Sequence, residues 1–179
     1  MNYYSTFDFN IAPELTIVKT GMFNPSYELT NGSYCYGKMH FKGWFKRIGY
    51  IETANGNWIF KQKRWYYNDL IVSDANEQAI ATTKATTLWN RGTTLTFVDG
   101  TAIQLQRNGG VFSKIQSWYS ETYGNLLNIE AKVWSTKTPF IVSFEPIITK
   151  TNINPLLLAF MGTSIIITRR QQAAAAANA

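Results

Sequence analysis

The sequence is poor in the residues that build metal centres, disulfides and many active sites. It holds one cysteine, Cys35, and one histidine, His40, among 179 residues. A single cysteine excludes an intramolecular disulfide and a cysteine-based zinc site, and a single histidine excludes a multi-histidine metal centre. We therefore expect neither a metal nor a cofactor. The cysteine content is compatible with a reducing compartment.

Catalytic and nucleotide-binding motifs are also missing. The chain contains no G-x-S-x-G elbow, no G-x-x-x-x-G-K-[ST] loop, no G-x-G-x-x-G turn and no EF-hand loop. Its eleven acidic residues are scattered, and no spacing among them indicates paired catalytic carboxylates. Five of them mostly flank predicted turns: Glu52, Asp69, Asp74, Glu77 and Asp99. We interpret His40 as a structural or surface histidine and Cys35 as an inert thiol. An enzyme would instead need a pocket with converging polar groups near His40.

The start of the sequence carries no recognisable export signal. The residues MNYYSTFDFNIAPEL have neither a basic n-region nor an apolar h-region. We expect a cytoplasmic protein, attached peripherally to a membrane if its basic residues bind lipid.

Short apolar or alternating runs, separated by turn residues, fill most of the chain. Their spacing of roughly 8 to 12 residues is typical of all-β sandwiches and barrels. We expect one domain over residues 1–170, followed by a low-complexity tail, QQAAAAANA, over residues 171–179. The predicted strands are 15–22, 34–41, 44–52, 58–63, 65–72, 78–82, 86–89, 93–98, 102–106, 111–118, 126–134 and 140–144, with 27–30 as a further candidate.

Glycine-containing dipeptides mark the hairpin turns. Asn55-Gly56 and Asp99-Gly100 are expected to supply the positive φ that tight turns require. At Asp99-Gly100 a two-residue loop would split the neighbouring apolar residues between the two faces of the sheet. We therefore predict an odd loop with a glycine bulge, which places four apolar side chains on one face: Leu95, Phe97, Ile103 and Leu105.

One continuous apolar run, PLLLAFMGTSIIIT at residues 155–168, is the only segment that predicts a long helix. Asn154 suits the N-cap and Pro155 the first helical position. The run is shorter than the roughly 20 residues of a membrane span, so no transmembrane span is expected. A helix that is apolar on every face must instead be enclosed by protein. We predict a closed antiparallel β-barrel of about twelve strands around a helix at about 155–170, burying Leu157, Phe160, Met161 and Ile165.

This succession of strands followed by an apolar helix resembles the tubby C-terminal fold of tubby-like proteins, phospholipid scramblases and LURP-one-related proteins. The resemblance is carried by residues 49–60 (GYIETANGNWIF), residues 70–80 (LIVSDANEQAI), the hairpin at Asp99-Gly100 and the helix 156–167. It covers nearly the whole chain and implies a barrel around a central helix. It also implies binding to phosphorylated lipid.

The formal net charge of +6 is unevenly distributed along the sequence. From Lys38 to Arg64 there are seven basic residues against one acid, Glu52, whereas the rest of the chain has ten of each sign. This count predicts one cationic patch rather than a generally basic protein. The candidate ligand-binding residues are Lys42, Lys46, Arg47, Lys61, Lys63 and Arg64.

Several functions are compatible with that patch. Basic residues interleaved with aromatic ones favour a non-catalytic module that binds anionic lipid headgroups. Tubby proteins use a Lys-x-Arg strand pattern in phosphoinositide binding, and Lys61-x-Lys63 is similar to it. The alternatives are a protein-interaction or structural domain without a lipid role and, less favoured, nucleic-acid binding or an enzyme. A solvated strand face whose lysines protect an edge would also explain the pattern.

Overall fold

A computed structural model describes residues 3–10, 12–21, 24–42, 48–63, 69–85, 92–108, 114–132, 135 and 137–177. Twelve antiparallel strands close into a barrel around one long helix, α1, at Pro155–Ala177, and a short 3-10 helix at Pro146–Lys150 precedes it. The strands are β1 Glu14–Thr20, β2 Ser26–Thr30, β3 Cys35–Lys42, β4 Ile48–Thr53, β5 Gly56–Gln62, β6 Leu70–Asp74, β7 Ala79–Ala85, β8 Thr93–Phe97, β9 Ala102–Arg107, β10 Ile115–Ser120, β11 Gly124–Ala131 and β12 Phe140–Phe144.

The barrel is an uninterrupted meander. Each strand pairs with its neighbours in sequence, and β1 pairs with β12 through a register that includes Ile17 opposite Phe140. Closure leaves no free sheet edge among these twelve strands. The predicted closed antiparallel barrel with a C-terminal helix is confirmed.

The hairpin between β8 and β9 has the predicted odd loop. Leu95 lies opposite Ile103, and residues 98–100 form a three-residue connection. Gly100 has a φ of +88°, a conformation that glycine adopts without steric cost. Leu95, Ile103 and Leu105 are buried, and Phe97 packs against the same core, so the four apolar residues share one face.

The hairpin between β4 and β5 differs from the prediction by one residue. Thr53 lies opposite Gly56, so the turn residues are Ala54 and Asn55 rather than Asn55 and Gly56. Neither Asn55 nor Gly56 has a positive φ. Instead the Thr53 hydroxyl donates to the carbonyl oxygen of Gly56 (2.8 Å) and accepts from the N–H of Asn55 (3.3 Å), so a side chain holds this turn.

The structure agrees better with the existence of the predicted strands than with their predicted first and last residues. The further candidate at 27–30 is a strand, whereas the predicted strand 86–89 lies outside the described residues. The described part of strand 65–72 begins at Leu70, and strand 78–82 continues to Ala85.

The helix begins as predicted and ends later. The Asn154 side-chain oxygen accepts hydrogen bonds from the N–H groups of Leu156 (2.9 Å) and Leu157 (3.2 Å), which is an N-cap. Residues 156–167 are buried, including the predicted Leu157, Phe160, Met161 and Ile165. The expected end near residue 170 is wrong, because α1 continues to Ala177 through an alanine run of high helix propensity. Within the described ranges, no helix is both long and apolar enough to cross a bilayer.

A close approach fixes the helix against β10 and β11. The indole N–H of Trp118 donates to the carbonyl oxygen of Leu158 at 2.8 Å, inside the barrel. A Cβ added to Gly162 would overlap the side chains of Ile129 and Trp118, so only glycine fits there without a shift. This contact ties the N-terminal part of α1, around Leu158 and Gly162, to one side of the wall.

The alternating strand directions give the barrel two distinct ends. The entry end, where Asn154 starts α1, holds the starts of odd-numbered strands and the ends of even-numbered strands. The exit end holds the opposite strand termini and the point where α1 leaves the barrel. There Arg169 donates to Thr93 Oγ1 (2.7 Å), and the Arg170 guanidinium lies 5.4 Å from the Phe140 ring centroid.

Candidate functional site

Three of the six predicted binding residues belong to the described residues. Lys42 ends β3, Lys61 lies in β5 and Lys63 directly follows β5, and all three are exposed. Lys46, Arg47 and Arg64 lie outside the described residues. The described three are all at the exit end.

Strand register brings these lysines together on the outer wall. Lys42 lies opposite Ile48, which in turn lies opposite Lys61. The two lysines are therefore separated by two strand spacings, about 10 Å. Lys63 follows Lys61 by two residues and points to the same side of the strand. The result is a cluster of three cations beside a half-buried isoleucine.

Aromatic rings lie next to this cluster. The Lys42 ammonium is 4.8 Å from the Tyr50 ring centroid, and the His40 ring stacks on Tyr50 with centroids 5.2 Å apart. Partial burial lowers the pKa of His40, with Lys42 and Lys38 adding to the effect and Glu52 opposing it. His40 is therefore a neutral stacking partner at pH 7.

Lys38 belongs to the predicted basic run but differs from the other lysines. Its ammonium lies 3.3 Å from the Glu28 carboxylate on the neighbouring strand β2. Both side chains are about one-third exposed, so this is a surface ion pair in the middle of the wall. Its charge is balanced locally, and we leave it out of the candidate site.

Basic side chains from around the barrel gather at the exit end. Eight residues join Lys42, Lys61 and Lys63 there, and the only acids at that end of the described chain are Asp69 and Glu130. We call these eleven residues the basic rim. The eight additional members are Lys19, Lys84, Arg107, Lys114, Lys132, Lys137, Arg169 and Arg170.

The entry end carries the opposite charge. Eight acidic residues lie there against one base, Lys150, in the described chain. The ends are separated by strands of five to eight residues, a distance of roughly 20 Å. The acids are Asp8, Glu14, Glu52, Asp74, Glu77, Asp99, Glu121 and Glu145.

Charge counted along the chain does not reveal the eight additional rim residues. Outside residues 38–64 the two signs are equal in number, so that count shows no excess. In a meander, however, alternate connections lie at the same end of the barrel. Counting charge separately on alternate connections of the twelve observed strands shows the polarity, and this count depends on the correct strand list.

Two pockets lie at opposite ends of the barrel. A pocket of about 210 Å³ at the exit end lies beside the emerging helix, between Lys19, Arg170 and Phe140. A pocket of about 290 Å³ at the entry end lies beside Asn154 and is lined partly by Trp58. His40 lines neither, so the pocket that an enzyme centred on His40 would need is not one of these two.

Cys35 and the acidic residues form no recognisable reactive centre. The Cys35 thiol is half-buried, its sulfur lies 3.5 Å from the Gly37 carbonyl oxygen, and burial raises its pKa. A thiol with a raised pKa is a weak nucleophile at neutral pH. In the part of the chain that the structure describes, no three His, Cys, Asp or Glu side chains converge as metal ligands.

No family model, curated protein or solved structure matches this chain.

Proposed function

We propose that this protein is a non-catalytic binding module that docks its basic rim onto an anionic surface, with anionic membrane lipid as the partner. The single observation behind the proposal is the separation of charge between the two ends. Among the described residues, eleven bases oppose two acids at the exit end, whereas eight acids oppose one base at the entry end. Such a charge distribution both attracts and orients the barrel at a negative surface.

The size of the electrostatic effect is adequate for peripheral binding. Each Lys or Arg near an anionic leaflet contributes about 1 kcal/mol, so a few such contacts suffice for peripheral binding. The acidic entry end is repelled, so the exit end faces the lipid. The end of α1, residues 171–177, extends about 10 Å beyond Arg170 and carries no charged side chain, so it adds no repulsion.

The resemblance to tubby-like proteins favours lipid as the anionic partner. Lys61 and Lys63 occupy the two ends of the Lys-x-Arg-like pattern and lie on one exposed face at the rim. A lysine offers a point charge rather than the two-pronged geometry of arginine. We therefore expect binding to follow the charge density of the membrane more than the stereochemistry of one headgroup.

A vesicle assay with a matched control tests the proposal. Wild-type protein should sediment with phosphatidylcholine vesicles that contain phosphatidylserine, but not with phosphatidylcholine alone. Lys61→Glu combined with Lys63→Glu should weaken that binding by about tenfold or more. Lys150→Glu, at the opposite end, changes the net charge in the same direction and should have little effect. All three positions are exposed, so the variants should fold.

Three outcomes would contradict the proposal. If the wild-type protein does not bind anionic vesicles, lipid is excluded as the partner and the protein-interaction alternative remains. If the Lys61/Lys63 and Lys150 variants lose the same binding free energy per unit of charge changed, net charge rather than the rim governs binding. Competition by an oligonucleotide with a steep salt dependence would instead favour nucleic acid.

A further inference from the structure

The pocket at the entry end combines aromatic rings with a carboxylate. Its walls include Trp58 of β5, Phe97 of β8, Tyr123 of the β10–β11 loop and Asp99 of the β8–β9 loop. Leu157, in the first turn of α1, also lines the pocket. Its volume of about 290 Å³ is close to the lower limit of small-molecule sites, about 300 Å³.

The three rings differ in exposure but all reach the pocket. Tyr123 is 41% exposed, Phe97 is partly buried and Trp58 is 9% exposed. The faces of aromatic rings carry negative charge density, and several such faces around one space favour an organic cation. Aromatic cages of this kind recognise methylated ammonium groups.

Asp99 adds a full negative charge at the mouth. The backbone N–H of Thr101 donates to its side chain at 2.8 Å and holds the pKa of that carboxyl below its ordinary value. The group therefore stays ionised throughout the neutral range. The Asp99 side chain is fully exposed, so charging it carries no burial cost.

The surrounding charge also favours a cation. Seven other acids lie at the entry end, whereas Lys150 is the one base there in the described chain. The N-terminus of α1 contributes a partial positive charge of about one-half. That charge is smaller than the acidic surplus, and the Asn154 oxygen already accepts hydrogen bonds from two of the helix amides.

From this arrangement we infer that the entry-end pocket binds a small organic cation with a methylated ammonium group, with Trp58, Phe97 and Tyr123 against the methyl groups and Asp99 against the charge. The site is separate from the basic rim and does not depend on the lipid proposal. A phosphocholine headgroup is a poorer candidate, since its phosphate would enter an acidic environment. The ligand class is therefore a free cation of the size of choline.

Calorimetric titration with three probes tests the inference. Choline should bind saturably to the wild type, phosphocholine more weakly, and 3,3-dimethylbutan-1-ol, the neutral analogue of choline, more weakly still. Asp99→Asn should reduce choline affinity about fivefold or more, and Tyr123→Leu should reduce it by at least about twofold. Asparagine can still accept from the Thr101 N–H, so the turn is retained.

Tyr119→Leu is the matched control for Tyr123→Leu. Tyr119 is similarly exposed, at 39%, but lies on β10 and does not line the pocket. This variant should bind choline like the wild type. The inference is overturned if choline does not bind saturably, if the neutral analogue binds equally well, or if phosphocholine binds better than choline.

Discussion

At the scale of single residues, neighbouring side chains determine the chemistry of His40. It stacks on Tyr50, and partial burial together with Lys42 and Lys38 disfavours its protonation, while Glu52 favours it more weakly. His40 is the only histidine, so it is the one side chain whose ordinary pKa lies between pH 5 and 8. Its titration should therefore be visible in the stability of the whole protein.

We predict that the free energy of unfolding falls as the pH drops from about 6.5 through the lowered pKa of His40. In that interval the unfolded chain binds the proton more readily than the folded chain does, so protonation favours unfolding. Urea midpoints at pH 7.5 and 5.5 measure the effect. The His40→Gln protein, whose residue 40 cannot titrate, should lose less stability between these two pH values. An equal loss in both proteins would assign the pH dependence to other groups.

The structural role of a single residue is predictable where it depends only on its neighbours in the sequence. Asn154 was recognised as a helix cap because its role depends only on the residues that follow it. The turn at Ala54-Asn55 was misplaced because the Thr53 hydroxyl, rather than a positive φ, holds it. Side-chain hydrogen bonds of this kind compete with glycine-based turn rules and leave no distinct sequence pattern.

At the scale of elements, α1 shows the difference between propensity and packing. Intrinsic propensity favours alanine over glycine in a helix by about 1 kcal/mol. A Cβ at Gly162 would nevertheless overlap Ile129 and Trp118, next to the hydrogen bond from Trp118 to Leu158. The two effects have opposite signs, so one substitution can separate them.

We predict that Gly162→Ala lowers the free energy of unfolding by about 2 kcal/mol, because overpacking outweighs the gain in propensity. Urea denaturation monitored by circular dichroism would measure this change. Ala174→Gly, on the exposed end of the same helix, is the control and should cost less than about 1 kcal/mol. A more stable Gly162→Ala protein would show that the helix is not packed against this wall.

The existence of the elements was more predictable than their limits. Alternating apolar runs and turn residues identified most strands, since β periodicity and turn chemistry are local properties. The predicted end of α1 near residue 170 is too early, because alanine favours continuation of a helix that has already started. Burial of α1 followed from its apolar faces, which only an enclosing wall satisfies.

At the scale of the whole molecule, closure converts a scattered charge pattern into two ends of opposite sign. Lys61 of β5 and Lys63, which directly follows β5, lie across the barrel from Lys132, which follows β11 six strands away in the closed order. The sequence placed only the first two in a basic patch, because Lys132 is far away along the chain. Opposite sides of the rim therefore provide independent probes of how the barrel docks.

The most direct test of rim docking compares the two sides of the rim in one assay. The measurement is co-sedimentation with phosphatidylserine-containing vesicles for Lys61→Glu/Lys63→Glu and for Lys114→Glu/Lys132→Glu, at equal ionic strength. End-on docking predicts that both pairs weaken binding by about tenfold or more, since each removes two contacts from the same surface. If Lys61→Glu/Lys63→Glu weakens vesicle binding but Lys114→Glu/Lys132→Glu binds like the wild type, end-on docking is contradicted. The contact would then lie on the side wall near Lys61 and Lys63 alone.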